Sequence, residues 1–178
     1  VFGNGGVQLA NGTTLDLRAN GENDNSSQIL TFGNQLQVSS SAASYTVNVD
    51  QEAVTGGTGK TIALGNHNVG ANTTMNVTGG NGYQLSIGTY IPGGGATIST
   101  TLLNPTTANL LIGTIGGTGN SVSPTVTLGG TASGNVISGA VNNNTAPGTT
   151  GTSIAKADSS TWTLNGVNTY TGTTTVGG

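Results

Sequence analysis

The sequence predicts an all-β protein built from stacked coils, a β-solenoid, and three observations support this fold class. Short runs alternate apolar and polar residues with a period of two, which is the pattern of half-buried strands. Glycine-containing turn signals separate the runs, and no window has the i, i+3, i+4, i+7 spacing of an amphipathic helix. Outward Thr and Asn favour stacked coils over the alternative, an antiparallel β-sandwich, because stacked coils align identical polar side chains in ladders.

The predicted strands follow from this alternation. They lie at 14–18, 45–50, 61–64, 74–78, 83–87, 96–99, 125–128 and 161–164. The pair Leu102 and Leu103 and the run 110–112 break the alternation, which predicts strands buried on both faces or a change of register. We therefore expect essentially no helix. The inward positions include Leu15, Val47, Leu85 and Trp162.

Turns between the strands are marked by dipeptides that supply the positive φ of tight turns. They include Asn11-Gly12, Asn20-Gly21, Asn81-Gly82, Pro92-Gly93 and Asn165-Gly166. Strands recur every dozen to two dozen residues, as expected if each coil holds two or three short strands. Coils of about 22 residues would give about eight coils and a rod of roughly 40 Å. The competing interpretation, disorder of a chain rich in Gly, Ser, Thr and Asn, leaves the repeated alternation unexplained.

Composition and charge exclude several classes of function. Charged residues are 5% of the chain, against roughly 25% in typical soluble proteins. The net charge of -3 comes from scattered residues without a basic stripe, so we expect no nucleic-acid partner. The lack of cysteine excludes disulfides and thiolate metal sites. No apolar run reaches the ~20 residues of a membrane-spanning helix, so we expect no membrane insertion by this segment.

The most specific motif lies at 152–178. From Lys156 the chain reads KADSSTWTLNGVNTYTGTTTVGG. This resembles the passenger-associated strand repeat of bacterial autotransporters, K-x-G-x-G-T-[LW]-T-L-x-G-x-N-T-Y-T-G-x-T-T-V-x-G-G, most closely over 161–178. The segment 136–141 is similar to the VISG strand that often precedes the repeat, whereas Asp158 and Ser160 stand where the family has glycines. The resemblance implies a right-handed parallel β-helix that is extracellular or on the bacterial outer cell surface, and it implies no particular activity.

Three glycine-rich segments resemble the calcium-binding turn G-G-x-G-x-D-x-U-x, but each lacks its aspartate. They lie at 56–62, 79–85 and 116–122, with Thr61, Gln84 and Ser121 at the acidic position. A hard cation needs carboxylate oxygen, so these segments are predicted to be turns without an ion. The first also ends in Gly-Lys-Thr, but the leading glycine of a phosphate-binding loop is replaced by Val54 and no helix follows. Lys60 is accordingly expected to be a solvated turn residue.

The acidic pairs and the single histidine are the other candidates for chemistry. Asp50 and Glu52 would point to one face of a strand and could serve acid–base or glycosidic chemistry, although two solvated acids are the simpler interpretation. Glu22 and Asp24 form an acidic loop that is either solvated or a weak calcium site. His67 has no G-x-S-x-G motif to accompany it. We therefore predict no catalytic, cofactor-binding or metal-binding residues.

Two further expectations concern side-chain direction. Trp162, Leu164, Tyr170 and Val176 are expected to point inward, with an exposed, sugar-stacking Trp162 as the alternative. Rows of alternating threonine at 125–127, 161–163 and 173–175 would resemble an ice-binding surface if they aligned in space. Strand propensity by itself also explains threonine in these positions.

Together these features predict a non-enzymatic structural segment of a bacterial cell-surface or secreted protein, which extends, displays or assembles into a fibre and has a possible adhesive role. Residues 1–178 are interpreted as a single solenoid segment, an excerpt or processed product of a longer chain. Unpaired strand edges predict association end to end with other copies or with flanking repeats. A glycan or surface ligand is an additional expectation. The main alternative is a polysaccharide-degrading enzyme on the same scaffold, in which Asp50, Glu52 and a base converge.

Overall fold

The computed structural model describes residues 5–52, 57–93, 99–117, 123–145 and 151–178. These residues form sixteen strands, and the described ranges contain no helix. The strands are β1 Val7–Gln8, β2 Thr14–Arg18, β3 Ile29–Thr31, β4 Leu36–Val38, β5 Ser44–Asp50, β6 Thr61–Ala63, β7 His67–Val69, β8 Thr74–Gly79, β9 Gln84–Ile91, β10 Thr100–Pro105, β11 Leu110–Ile115, β12 Thr125–Leu128, β13 Asn135–Ile137, β14 Ser153–Lys156, β15 Trp162–Leu164 and β16 Thr174–Val176.

The strands form two parallel sheets around one apolar core. The first sheet has the path β1-β4-β7-β9-β11-β13-β15, with β3 and β6 joined to its side, and the second has the path β2-β5-β8-β10-β12-β14-β16. Each strand pairs in parallel with strands one turn away along the chain rather than with its sequence neighbour, as Leu15 does with Val47. The fold is therefore a parallel β-solenoid, and the antiparallel β-sandwich is excluded.

The turns are fewer and longer than the sequence suggested. Successive passes through the second sheet are separated by between 32 residues, from Leu15 to Val47, and 20 residues, from Ile154 to Thr174. The chain passes through this sheet seven times, which at ~4.8 Å per step spans roughly 30 Å. The expectation of eight coils of about 22 residues is wrong because the segments between strands, such as 19–28, take up more of each turn.

The register stacks inward side chains in columns. One column of the second sheet contains Tyr45, Met75, Leu103 and Leu128, each at most 1% exposed. Parallel pairing in register places similar positions of each turn above one another, so a single strand pattern repeated along the chain fills a continuous core.

The inward assignments are confirmed in the middle of the solenoid and are incomplete at its ends. Val47 and Leu85 are fully buried, whereas Leu15 and Trp162 are half-buried and pack against the core. Leu15 lies on β2, the first strand of its sheet, and Trp162 lies on β15, the last strand of the other. Each therefore lacks a neighbouring turn on one side.

Two apolar runs interrupt the alternation of apolar and polar residues in the sequence, but burial still alternates along each run. Leu103 on β10 and Leu110 on β11 are buried, whereas Leu102 and Leu111 lie between buried neighbours and are half-exposed. β10 alternates throughout, whereas β11 changes its inward phase at Gly113 and Thr114, so that Ile112 and Ile115 are both buried while the pairing with β9 keeps one offset. Most of the strand predicted at 96–99 falls outside the described residues. The short strands β3, β4, β7 and β14 were not predicted, since three or four residues give a weak period, although alternation did locate the equally short β6 and β15.

The turn dipeptides divide into two groups. Gly12 and Gly21 have positive φ, and in Asn81-Gly82 both residues do, with φ of 50° and 72°. Gly166 does not need the left-handed region, but a Cβ there would collide with the backbone of Gly139, one turn away. This second group of glycines is required for close approach between turns rather than for backbone conformation.

Glycines of the first sheet stack in a continuous column, which includes Gly88 within β9 and Gly113 within β11. A Cβ built on Gly65 would lie 2.8 Å from the carbonyl oxygen of Gly33, and one on Gly113 would lie 2.6 Å from that of Gly88. Gly139 extends the column, since its Cβ would meet the oxygen of Gly113. Repeated glycine therefore allows successive turns to pack backbone against backbone along this column.

The C-terminal motif at 152–178 contains three strands, β15 in the first sheet and β14 and β16 in the second. Asp158, at a position where the related repeat has glycine, adopts the left-handed conformation with φ of 57°. Its carboxylate Oδ2 accepts a hydrogen bond from Gly130 N at 3.0 Å. The backbone thus keeps a glycine-like turn at Asp158, and the right-handed sense of the coil stays a prediction.

Candidate functional site

Polar ladders run along the outward face of the second sheet. Asn48 Nδ2 donates to Asp16 Oδ1 at 2.8 Å, and Thr78 Oγ1 donates to Asn48 Oδ1 at 2.8 Å. In the neighbouring outward column, Asn104 Nδ2 donates to Asn76 Oδ1 at 2.7 Å. These side chains satisfy one another from turn to turn, as the sequence predicted, and stabilise the stack from outside.

Charge is confined to the two ends of the solenoid. The nine charged residues all lie before position 61 or after position 155, and the 95 residues between have none. Because turns stack in sequence order, the middle of the solenoid has an uncharged surface. The charged residues are Asp16, Arg18, Glu22, Asp24, Asp50, Glu52, Lys60, Lys156 and Asp158.

Arg18 lies between two carboxylates on the first two turns. Its Nε is 2.9 Å from Asp16 Oδ2 and its Nη1 is 3.9 Å from Asp50 Oδ2. The pKa of Asp16 is lowered, first by the hydrogen bond from Asn48 and then by that from Arg18. Arg18 and Asp16 side chains are each 47% exposed, so the pair contributes little to stability.

The acids proposed for catalysis have different surroundings. Asp50 Oδ1 accepts hydrogen bonds from Gln51 N and from Asn81 Nδ2, both at 2.8 Å. Glu52 is exposed, and its backbone N donates to Asn20 Oδ1 at 2.7 Å. Asp50 and the base Arg18 therefore lie close together. The hydrogen bond of Asp50 with Asn81 joins neighbouring turns.

Lys60 is fully buried, and the expectation that it is solvated is wrong. Its Nζ lies 2.8 Å from Asp24 Oδ1 and donates to Ser26 O at 2.7 Å. Hydrogen bonds from Lys60 and Ser26 lower the pKa of Asp24 to about 2. The loop that carries Asp24 folds over the ammonium group, a tertiary contact across 36 residues that no local pattern signals.

The same contact changes the interpretation of the acidic loop. Asp24 also accepts from Ser26 Oγ at 2.6 Å, so its carboxylate is engaged by a cation and a hydroxyl. Within the described ranges, no group of three His, Cys, Asp or Glu side chains could hold a metal ion. Gly56 and 118–122, which belong to two of the glycine-rich calcium-like segments, lie outside the described residues.

His67 occupies an aromatic environment inside the coil. Its ring is fully buried, the Tyr45 hydroxyl lies 2.5 Å from Nε2, and the Tyr45 and Tyr90 rings are edge-on to it at 5.6 and 5.7 Å. Burial lowers the pKa of His67 to about 4, although the nearby Leu36 backbone raises that pKa by a smaller amount. A neutral imidazole enclosed in the core serves packing rather than access to substrate. Period-two alternation through His67-Asn68-Val69 is the signal that could have predicted its inward position.

Two threonine hydroxyl groups lie beside Tyr90 in the same part of the core. Burial raises the pKa of Tyr90 to about 12, although the neighbouring Thr101 and Thr73 side chains lower it by smaller amounts. Their hydroxyl groups make no hydrogen bond of normal geometry among the described residues.

The threonine rows do not form one regular surface. Thr125 and Thr127 lie on β12 of the second sheet, and Thr175 on β16 shares the column of Thr127. Ala155 stands between those two threonines, and Thr163 lies on the other sheet. The spatial alignment required for the ice-binding hypothesis is therefore interrupted.

The C-terminal end of the solenoid leaves an apolar cavity of about 360 Å³. Leu164 and Tyr170 are half-buried against the core, as expected, and Trp162 Nε1 donates to Gly129 O at 3.2 Å. Val176 follows Leu128 and Lys156 in one inward column, and it is 78% exposed on the last described strand. The cavity is lined by Leu128, Ile154, Lys156, Ser160, Thr161, Trp162, Leu164, Thr174 and Val176.

A search for membrane-spanning helices among the described residues found none that is long and apolar enough. No family model, curated protein or solved structure matches the chain at a significant level. The fold defines its class: the chain is a parallel β-solenoid scaffold.

Proposed function

We propose that this chain is a structural segment of a bacterial cell-surface or secreted protein that extends or displays other parts and assembles end to end. The observation that carries the proposal is the continuous core between two seven-stranded parallel sheet paths. Each turn is hydrogen-bonded to the next, so the stack is suited to act as a stiff spacer that resists bending. The resemblance of 161–178 to the autotransporter passenger repeat supports an extracellular location.

The uncharged middle of the solenoid supports a passive role. Asn76 and Asn104 donate hydrogen bonds to groups of the preceding turn. His67 is enclosed in the core. Adhesion to glycans would be an extension of this role, carried by the remaining outward Thr and Asn groups. Such contacts would be weak individually and would act through repetition along the face.

A display experiment tests the proposal. The chain is inserted between an outer-membrane anchor and an epitope on a Gram-negative cell, and antibody binding to intact cells is measured before and after brief proteolysis. We expect an accessible epitope on a protease-resistant stalk, whereas Leu85→Asp, which places a charge in the fully buried core, should give a rapidly cleaved stalk. Equal protease sensitivity of the two chains would refute a folded spacer.

The alternative with a specific supporting contact is polysaccharide cleavage, because Asp50 and Arg18 lie together on the first two turns. The purified chain would be incubated with acidic and neutral polysaccharides, in parallel with Asp50→Asn and Glu52→Gln. Turnover that both substitutions abolish would replace the structural proposal by the enzymatic one. We expect no turnover from any of the three chains.

A further inference from the structure

Three buried hydroxyl groups meet in the core between the two sheets. Thr73 directly precedes β8 and Thr101 lies on β10, and the pairing of Thr74 with Leu102 stacks the two threonines one turn apart in the same inward column. Tyr90 faces them from β9 of the first sheet. Its hydroxyl group lies close enough to both threonine side chains for each of them to affect its pKa. Hydroxyl groups from both sheets are therefore brought together at one point.

These three hydroxyl groups are buried without a hydrogen-bond partner. Thr73 is 1% exposed, and Tyr90 and Thr101 are 0% exposed. In the part of the chain that the structure describes, none of the three oxygens has a partner at normal distance and alignment. Rotation of a hydroxyl hydrogen leaves its oxygen in place, so rotation does not bring these oxygens into hydrogen-bond distance. Buried hydroxyl groups without a partner are costly, and nearly all of those in native proteins are satisfied. The three groups therefore point to a ligand that they share.

The neighbouring turns have apolar residues at the equivalent positions. In the column of the two threonines, the preceding turn has Ala43 and the following turn has Val126. In the column of Tyr90, the following turn has Ile115. Valine would fill almost the same volume as threonine without burying a hydroxyl group. The polar groups are thus concentrated in two successive turns, at positions where packing by itself is served by apolar side chains.

We propose that Thr73, Tyr90 and Thr101 bind one internal water molecule that bridges the two sheets. A buried water typically makes about three hydrogen bonds, which is the number that these three hydroxyl groups can supply. Each hydroxyl group and the water can donate or accept, so all of their hydrogen-bonding needs are compatible. No charged residue occurs between positions 61 and 155, so the surroundings suit a neutral ligand and not an ion. The water site belongs to the core and is independent of the proposed display function.

The burial of the site determines how this water exchanges with solvent. All three side chains that would hold it are at most 1% exposed, so its release requires local opening of the core. Its residence time should therefore be far longer than that of water on the surface. While it is bound, it joins the stacked threonines of the second sheet to the first sheet, a connection that no direct contact of these side chains provides.

The first test counts long-lived waters by oxygen-17 relaxation dispersion, a signal that exchange of hydroxyl protons does not affect. A chain of this length is expected to hold roughly six buried waters, so the measurement is a difference between variants. The variant Thr73→Val/Tyr90→Phe/Thr101→Val removes all three hydroxyl groups together and leaves none of them unpaired. We expect its dispersion amplitude to fall below that of the wild type by the contribution of one water. An unchanged amplitude in the folded variant would overturn the proposal.

A matched pair of single substitutions on β10 provides the control and a test that does not depend on the folding of the triple variant. Thr101→Val removes an inward hydroxyl group of the site, whereas Thr100→Val makes the same change at the exposed, outward position next to it. Circular dichroism checks that both variants fold. We expect Thr101→Val to reduce the long-lived water signal and Thr100→Val to leave it at the wild-type value. Equal signals from the two variants would contradict the assignment of the water to this site.

A high-resolution crystal structure of the wild-type chain separates the bridging water from a direct network of hydroxyl groups. The expected result is one water oxygen at about 2.7 Å from the hydroxyl oxygens of Thr73, Tyr90 and Thr101. If these three oxygens instead lie at hydrogen-bond distance from one another with no water between them, the proposal is overturned in favour of direct contact. Either result leaves the display experiment as a separate test of the proposed function.

Discussion

The Tyr45 hydroxyl lies 2.5 Å from Nε2 of His67 in the interior of the solenoid, on facing strands of the two sheets. A neutral His67 can accept a hydrogen bond from the Tyr45 hydroxyl at Nε2 when its own hydrogen is on Nδ1. Both side chains are at most 1% exposed. The pair is a polar contact that links the two sheets across the core.

The burial of His67 predicts a loss of stability in mild acid. Its folded pKa is lowered from 6.5 to about 4, so the unfolded chain binds a proton more readily. The stabilising contribution is complete above pH 6.5 and is lost as pH falls from 6.5 towards 4. We expect the free energy of unfolding to fall by about 3 kcal/mol between pH 7 and pH 4, as measured by urea denaturation at several pH values.

The control for this prediction is His67→Gln, which cannot titrate. Its overall stability should be lower, but its unfolding free energy should be nearly constant between pH 6.5 and 4. The lowered pKa values of Asp16 and Asp24 affect stability only below about pH 4. The same pH dependence in wild type and His67→Gln would contradict the assignment.

The ion pair between the buried Lys60 and the half-exposed Asp24 predicts an asymmetry between two substitutions. Asp24→Asn leaves a buried ammonium without its carboxylate, whereas Lys60→Met replaces the ammonium by an apolar group of similar length. We expect Asp24→Asn to lower the thermal midpoint by several degrees and Lys60→Met to lower it less. Scanning calorimetry compares them, and the reverse order would show that Lys60 is not buried in solution.

Stacked glycine predicts a steric cost at Gly113. A Cβ there would lie 2.6 Å from Gly88 O, although its φ lies outside the left-handed region. Gly113→Ala should therefore cost about 1–3 kcal/mol of unfolding free energy through overpacking. Gly6→Ala, whose Cβ would meet Gln35 O at an ordinary 3.5 Å, is the matched control and should change stability by less than about 0.5 kcal/mol. Denaturant unfolding measures both, and equal effects would contradict the close approach of turns.

The left-handed conformation of Asp158 predicts opposite effects of two small residues. Asp158→Gly removes the strain of φ 57° but loses the hydrogen bond to Gly130 N, so these effects should offset to within about 0.5 kcal/mol. Asp158→Ala keeps the strain and loses the hydrogen bond, and should cost about 1–2 kcal/mol. Thermal unfolding of the three chains provides the comparison, and an alanine variant as stable as the glycine variant would refute the strain argument.

Several elements of the fold were predictable from local sequence. Alternation located β2, β5, β8 and β12 almost to the residue, because each has four or more residues and one buried face. The polar ladders were predictable as well, since outward Asn and Thr recur at equivalent positions. Strands of three residues offer so few positions that alternation located β6 and β15 but missed β4 and β7.

The candidate site was much less predictable. Lys60 and Asp24 are 36 residues apart, and Tyr45 and His67 are 22 apart, so neither pair belongs to a local motif. Their contacts depend on the lengths of turns, which vary from 20 to 32 residues and follow no fixed sequence rule. The burial of an ionised lysine in particular follows from a loop that folds over it.

The sequence by itself determined the all-β class, the inward and outward alternation and the uncharged exterior, because these depend on neighbouring residues and on composition. Tertiary structure decided the number of turns, the stacked glycine column, the buried Lys60 and the enclosed His67. Each of these requires two segments a full turn apart to be brought into register. Register is set by the sum of packing and backbone pairing over the whole stack, which no single segment encodes.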